Sequence, residues 1–514
     1  MTTIRDVVVL GGGSAGLLSA LTLEAKLPRL RITVVRSREI GIIGVGEATT
    51  ANLPRHLFNE LRLDPGEFHR RTQLSWKLGI RFLWGPRPWF DFTFGNQLDV
   101  KWTRLARNNG FYCREDFSEV DTLSALMSRN KAFVRGPDGA PLVGLNHGFH
   151  LENERFVAYL EAKAAERGIA IVDDTVESAQ QGEEGVTSLV LKSGAALRAD
   201  LYVDCSGFRS QLLGRTLGEP HVSYRSTLFN DRAVVGGWPR TFEPIQTYTT
   251  AETMDAGWCW RIDHPDVINR GYVYSSSFIS DADAEAEFRA KNPLVRETRV
   301  IPYVAGRYAR CWVKNVYAVG NASGFVEPLE STGLAVTVVA ARLLAESLHD
   351  CDRRPTPTLV QSVNRIVGDT WDSIRWFLGF HFRFNTRLDT EYWRACRAGA
   401  DLGPAAAIVD YYRENGPSTY GRAALLGEQE YAGMEGYLCM LVGQAVPYDC
   451  DWSPTERELA IWSGIRAENR ARALTGVSAA EAIQRMSSPD WRWAVSAPAA
   501  DRLERPPVIP GIFR

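Results

Sequence analysis

The stretch Val7-Val8-Val9-Leu10-Gly11-Gly12-Gly13-Ser14-Ala15-Gly16 constrains this chain most: an apolar run breaks into glycines and reopens as a helical pattern from Leu17 to Ala25. A strand that feeds a G-x-G-x-x-G turn into a helix presents free backbone N–H groups and the positive end of a helix dipole. Both suit a pyrophosphate. Gly11, Gly13 and Gly16, with Ser14 and Ala15 between them, are read as the cradle of a dinucleotide. The spacing alone is weak, since glycine turns also arise for local reasons, and its place between a strand and a helix gives it weight.

A second short strand, Arg31 to Val35, ends where a dinucleotide fold normally carries an acid for the adenosine ribose. Arg36 stands there instead, followed by Ser37-Arg38-Glu39. Either Glu39 takes the ribose, or Arg36 lies over the adenine or a phosphate. The glycine-punctuated loop Gly44-Val45-Gly46-Glu47-Ala48-Thr49 comes next and reads as another backbone-hugging contact to the same cofactor. Two later strand-to-turn events, at Asp204-Cys205-Ser206-Gly207 and Val319-Gly320-Asn321-Ala322, return the chain to the dinucleotide half.

Short alternating runs between Ser226 and Phe278 (Arg232 to Val235, Ile245 to Thr249, Trp258 to Ile262, Tyr272 to Phe278) predict an inserted antiparallel sheet. Past Arg353-Arg354-Pro355 the pattern turns helical over 359–380, 392–398, 405–414, 455–474 and 479–485. The expected fold is α/β. A Rossmann-like module with an inserted antiparallel sheet covers residues 1–354, its segment at about 77–150 serving the substrate, and a mostly helical substrate-covering module covers 355–514. The proline-rich last thirty residues are expected to wrap the surface.

The 59 basic and 61 acidic residues are mixed along the chain, so nothing steers it toward nucleic acid or an anionic membrane. No apolar run approaches the roughly 18 residues of a membrane span and no signal peptide opens the chain, so a soluble cytoplasmic protein is expected. Eight cysteines lack any C-x-x-C and eight histidines lack any H-E-x-x-H, which excludes the usual zinc patterns and predicts no metal. Fifteen Trp, 17 Tyr and 22 Phe suit a flat cofactor or an aromatic substrate as well as a core.

Four segments carry candidate chemistry. Trp76 to Phe82 alternates as a strand would, with Lys77, Gly79 and Arg81 on one face, and the pattern favours solvent for the lysine over a cavity. Pro86 to Phe94 reads as an aromatic loop wall. In Gly257-Trp258-Cys259-Trp260, two indoles point to one face of a strand. Finally, Ser331, Thr332 and Gly333 open a long apolar helix, Leu334 to Leu348, in an anion-binding geometry. Glu330 sits just outside it, as a capping or a catalytic carboxylate.

Taken in order, the glycine turn, Gly44-Val45-Gly46-Glu47-Ala48-Thr49, Lys77-Leu78-Gly79-Ile80-Arg81-Phe82, Asp204-Cys205-Ser206-Gly207-Phe208-Arg209, Gly257-Trp258-x-Trp260-x-Ile262 and Phe325-Val326-Glu327-Pro328-Leu329-Glu330-Ser331-Thr332-Gly333 resemble the flavin-dependent tryptophan halogenases over most of residues 4–400. The resemblance implies a flavoprotein-monooxygenase-like FAD module, with FADH2 supplied by a separate flavin reductase. Reduced flavin and O2 would give a C4a-hydroperoxide, which chloride or bromide attacks to form hypohalous acid.

The resemblance also implies roles. Lys77 would hold the oxidant as hypohalous acid or as a haloamine, and Glu330 would polarise it or take the ring proton. Ser331, Thr332 and Gly333 would seat the halide. Gly11, Gly13, Ser14, Ala15, Gly16, Arg36, Glu39, Gly46, Glu47, Ala48, Thr49, Gly320 and Phe325 would line the cofactor. Trp258, Trp260, Phe92, Phe94, Pro328 and Glu435 would line the tunnel and the substrate.

The chain departs from the family in three places. Ile262-Asp263-His264-Pro265 stands where the family writes Ile-Pro. Phe92 stands where tryptophan-specific members carry a His, and the segment that grips the amino acid is only partly matched by Tyr431 to Tyr437. The expected substrate is therefore a small electron-rich aromatic, indole-like, tryptophan-like or phenolic. The alternative is a flavin-dependent aromatic monooxygenase on the same fold, which would bind NAD(P)H itself and would need neither Lys77 nor the Trp pair. A homodimer stays open as an assembly.

Overall fold

The structure is a computed structural model that describes residues 3–41, 46–95, 97–98, 104–144 and 146–491. Residues 42–45 of the second glycine loop and the last of the proline-rich tail, 492–514, lie outside the described residues.

The glycine turn follows from the strand Asp6–Leu10, whose last four residues are buried, and leads into the helix Ser14–Lys26. That strand is central in a six-stranded sheet, ordered Trp312–Val313, Val316–Ala318, Leu201–Asp204, Asp6–Leu10, Arg31–Arg36, Ala170–Asp173. All the pairings are parallel except the first. A parallel sheet buried on both faces requires near-continuous apolar strands, as Val7 to Leu10 and Leu201 to Val203 provide. The three strand ends that run into turns, at Gly11, Cys205 and Gly320, belong to three adjacent strands and therefore converge at one carboxyl edge, where ligands of open α/β sheets bind.

The inserted layer is a seven-stranded sheet ordered Arg299–Pro302, Arg232–Pro239, Val267–Tyr274, Gly257–Asp263, Thr249–Met254, Gly79–Leu83, Phe90–Thr93. Two sequence expectations are corrected here. The strand expected over 245–249 begins only at Thr249. The residues before it are used in anchoring: Gln246 donates its backbone N–H to Asp263 at 2.8 Å, and the Thr247 carbonyl accepts from Leu78 at 2.7 Å. The aromatic segment read as a loop wall contains an edge strand, Phe90–Thr93, since Pro86 and Pro88 precede the paired residues and cost the ladder nothing.

The helical part follows the predicted pattern closely, with Pro357–Phe384, Glu391–Gly399, Ala406–Asn415, Glu456–Leu474 and Ala479–Met486. The 28-residue first of these starts where Thr356 accepts the backbone N–H of Leu359 and Pro357 occupies the first turn. Its inner face, including Phe377 and His381, is buried against the Trp84 and Phe82 region.

Candidate active site

At the glycine turn the space available decides what each residue does. A Cβ on Gly16 would sit 1.8 Å from the Gly11 carbonyl oxygen, and one on Gly11, whose φ is +122°, would sit 2.3 Å from the Cys205 carbonyl. Those two glycines are demanded by the close strand–helix approach. A Cβ on Gly13 would meet nothing within 4 Å, so Gly13 faces open space at the start of the helix, where a pyrophosphate would sit. Ser14 and Ala15 begin that helix, and Ala15 packs against Gly320, whose φ is +64°.

Arg36 lies against this turn, since a Cβ on Gly12 would be 2.3 Å from its own Cβ, and its guanidinium pairs with Glu161 at 3.0 Å. Glu39 is drawn away to the surface, where it pairs with Lys192 at 2.8 Å. Of these two residues, Arg36 is the one beside the glycine turn. Phe325 stacks edge-on with Phe208 at 4.9 Å and Tyr303 at 5.0 Å, in an aromatic group beside the same carboxyl edge. The cradle therefore fits a dinucleotide flavin.

Gly46, Glu47, Ala48 and Thr49 connect this cradle to the lysine. Glu47–Ala48 pairs with Gly148–Leu151, which on its other side pairs with Ser75–Lys77. Thr49 exchanges hydrogen bonds with Phe149, donating its backbone N–H at 2.9 Å and accepting on Oγ1 at 2.8 Å. Burial pushes the half-buried Glu47 carboxyl up to about 7.

Lys77 itself contradicts the solvent expectation, because its side chain is fully buried. The alternating run from Trp76 to Phe82 is broken at Leu78, which carries the chain from the three-stranded sheet into the seven-stranded one. Alternation across such a break does not report one surface. Lys77 Nζ donates to Ser331 Oγ at 2.7 Å and lies 5.4 Å from the Phe94 ring centroid. Desolvation pulls its ammonium down to about 7, although the nearby Glu330 opposes the shift.

Glu330 closes the short turn Pro328–Glu330, and Ser331 follows with φ +57°, a conformation uncommon for a non-glycine residue. The turn separates the two side chains: Ser331 faces Lys77, and Glu330 Oε1 lies 2.7 Å from His381 Nε2. Sequence reasoning missed His381; its only signal was a histidine on the inner face of a helix, which is common in cores. His381 Nδ1 lies 3.0 Å from the Phe377 carbonyl, which only accepts, so Nδ1 carries hydrogen. The Nε2–Oε1 contact then requires one further proton, held as imidazolium against carboxylate or as imidazole against carboxylic acid.

The helix Gly333–Asp350 starts at Thr332, whose side chain makes no capping bond. The first backbone bond of the helix is Val336 N–H to the Thr332 carbonyl, leaving the N–H groups of Gly333, Leu334 and Ala335 without helical acceptors. A Cβ on Gly333 would meet nothing within 4 Å, so the start of this helix has room beside it for an anion.

Aromatic rings pack on the His381 side of the group, and two indoles form a separate buried pair. Phe377 contacts Phe92 at 5.9 Å, His381 at 4.9 Å and Tyr437 at 5.3 Å, and Trp258 contacts Trp260 at 6.0 Å. Both indoles are buried, with Trp258 hydrogen-bonded to Glu327. Pro328 forms the floor of the Glu330 turn. Glu435 accepts the Leu98 backbone N–H at 2.9 Å.

The sequence profile of the tryptophan halogenase family matches residues 6–451. Tryptophan 7-halogenase KtzQ of Kutzneria sp. (strain 744) is 33% identical over 445 residues, covering 80% of this chain and 82% of its own. The crystal structure of MibH, a lanthipeptide tryptophan 5-halogenase, superposes with a TM-score of 0.86 at 37% identity, covering 95% of this chain and 94% of that one. Tar14, a tryptophan C-6 flavin-dependent halogenase from taromycin biosynthesis, superposes with a TM-score of 0.84 at 29% identity, covering 94% and 100%. The cradle, the buried lysine and the helix terminus thus stand in a chain that belongs to the tryptophan halogenase family of flavin-dependent enzymes.

Proposed function

We propose that this protein transfers chlorine or bromine to a ring carbon of an indole or similarly electron-rich aromatic, using FADH2 delivered by a separate reductase. The single observation that carries the reading is the burial of Lys77 within 2.7 Å of Ser331 Oγ, one residue from Glu330. When bound, the reduced flavin supplies, with O2, the oxidising equivalent that converts halide to hypohalous acid.

The chain's own residues account for the rest. The free N–H groups at Gly333, Leu334 and Ala335 hold the halide. Because Lys77 titrates near 7, both of its forms are populated at neutral pH. The ammonium donates a hydrogen bond to hypohalous acid, and the neutral amine attacks its halogen, forming an N–halogen bond and releasing water. Either way electrophilic halogen is held beside Phe94, on the side of the substrate. The aromatic carbon takes the halogen, and Glu330 takes the ring proton from the resulting cation on the carboxylate oxygen that does not face His381. Buried Trp258 and Trp260 support halogenation over hydroxylation, since indoles between flavin and substrate would keep the ring from taking oxygen directly at the flavin.

The test combines a flavin reductase, NADH, FAD and bromide with free tryptophan, tryptophan-containing peptides and simple indoles and phenols. A bromine isotope doublet on a ring-substituted product is expected. Hydroxylated product alone, with NAD(P)H consumed in the absence of the reductase, would favour a monooxygenase instead.

A further inference from the structure

Glu327 is a buried carboxyl that the chemistry above does not use. Its side chain is wholly inaccessible, and no basic group accounts for it: burial alone pushes it up to about 7, against hydrogen bonds that pull the other way. Both of those bonds fall on one oxygen. Trp258 Nε1 donates to Oε2 at 2.6 Å, and Asn230 Nδ2 donates to the same atom at 2.8 Å. The chain of contacts continues, since the Tyr392 hydroxyl donates to Asn230 Oδ1 at 2.9 Å and Tyr392 belongs to the helix Glu391–Gly399. Among the described residues, Glu327 Oε1 and the Tyr303 hydroxyl are each buried without a hydrogen-bond partner, close enough that the carboxylate opposes ionisation of the phenol.

We propose that Glu327 is a positioning residue that locks the Trp258 indole in the wall between the flavin side and Lys77, and ties that wall through Asn230 and Tyr392 to the substrate-covering helix. The proposal rests on the halogenase reading for its consequence, though not for its geometry. A buried indole N–H needs an acceptor, but a neutral amide or a backbone carbonyl would serve, and a carboxyl without a cation is a costly choice for packing alone. An oxygen taking two convergent donors fixes the ring in direction as well as position, which a single neutral bond does less well. The segment's spacing supports the same view. Glu327 and Glu330 stand three apart on one turn, the first holding the wall and the second meeting His381, so the wall and the reacting carboxyl are held in one rigid frame. A wall that shifts lets oxidant escape before it reaches Lys77, and each escape releases hypohalous acid to solvent instead of forming product.

Two variants separate a lock from simple packing. In Glu327→Gln the amide oxygen accepts both donors while its NH2 reaches toward the Tyr303 hydroxyl, so the lock survives. In Glu327→Leu it is removed. Trp258→Phe removes the donor. The first readout needs no activity: in protein labelled with 15N-tryptophan, the Trp258 indole N–H, assigned by its absence from Trp258→Phe, should be strongly downfield and slow to exchange in wild type and Glu327→Gln. It should shift upfield and exchange at least about tenfold faster in Glu327→Leu. In wild type that resonance should move downfield as pH rises through the Glu327 titration, and it should stay fixed in Glu327→Gln. The second readout is hypohalous acid released to an added scavenger per halogenated product, expected to rise at least about tenfold in Glu327→Leu, to stay near wild type in Glu327→Gln, and to rise no further in the Glu327→Leu, Trp258→Phe double variant. An unchanged indole resonance in folded Glu327→Leu would overturn the proposal, as would wild-type coupling in that variant. A wild type that makes no halogenated product would defeat the halogenase reading while leaving the resonance test to decide the lock.

Discussion

Glu330 Oε1 and His381 Nε2 lie 2.7 Å apart, with the far nitrogen of the ring already committed to the Phe377 carbonyl. That arrangement gives the carboxyl a proton partner buried from solvent, so the group that receives the ring proton need not hold it alone. His381→Phe keeps the ring packed between Phe82 and Phe377 and removes the partner. Halogenation kcat should fall on the order of 10 to 10² with little change in Tm, and Glu330→Gln should fall by about 10² to 10³, both measured as product formed under saturating substrate. Equal rates in wild type and His381→Phe would show that the pair is only structural.

Lys77 is costly to keep. Its folded-state titration near 7 lies below the ordinary 10.5, so between those values the unfolded chain binds a proton that the folded chain does not. Stability therefore rises with pH across that window, and at and below pH 7 the folded protein carries the full penalty. Lys77→Met keeps the apolar stem and removes the penalty, so the variant should melt higher than wild type by on the order of 2 to 4 °C at about pH 6, with the difference shrinking toward about pH 10. Melting curves across that range check it; a pH-independent difference would contradict the assignment.

The glycines separate by function. Gly16→Ala forces a methyl to within 1.8 Å of the Gly11 carbonyl and should give little folded protein, whereas Gly13→Ala enters open space and should fold normally while binding FAD at least about tenfold more weakly. Circular dichroism and flavin fluorescence titration read the two outcomes.

Gly333→Ala should also fold, since its methyl meets nothing. It stands in front of the free N–H groups, so the apparent KM for halide should rise by about tenfold or more, while oxygen consumption with FADH2 stays at the wild-type rate. Loss of oxygen reactivity would place this residue against the flavin instead.

The dinucleotide strand, its glycines and the helices after residue 355 were legible because each announces itself locally: glycines where backbones meet, and 3.6-residue periodicity over long runs. Lys77 was not legible from its neighbours. Its burial depends on the break at Leu78, and that break is set by pairing with Thr247, far along the chain. Only the resemblance moved it from solvent to the interior. His381 and Glu327 were invisible as partners for the same reason, since what defines them is a contact 51 residues away in one case and 69 in the other. The edge strand at Phe90–Thr93 was hidden by the prolines ahead of it, which mark the limit of the strand and not its absence.

The most direct test is mass spectrometry of the bromide reaction with wild type, Lys77→Ala and Lys77→Met, with free hypobromous acid trapped by an added scavenger in parallel samples. Wild type should give the bromine doublet, and both variants should give almost none while oxygen is still consumed and hypobromous acid is released to the scavenger. Halogenated product at near the wild-type rate from either lysine variant would contradict the account.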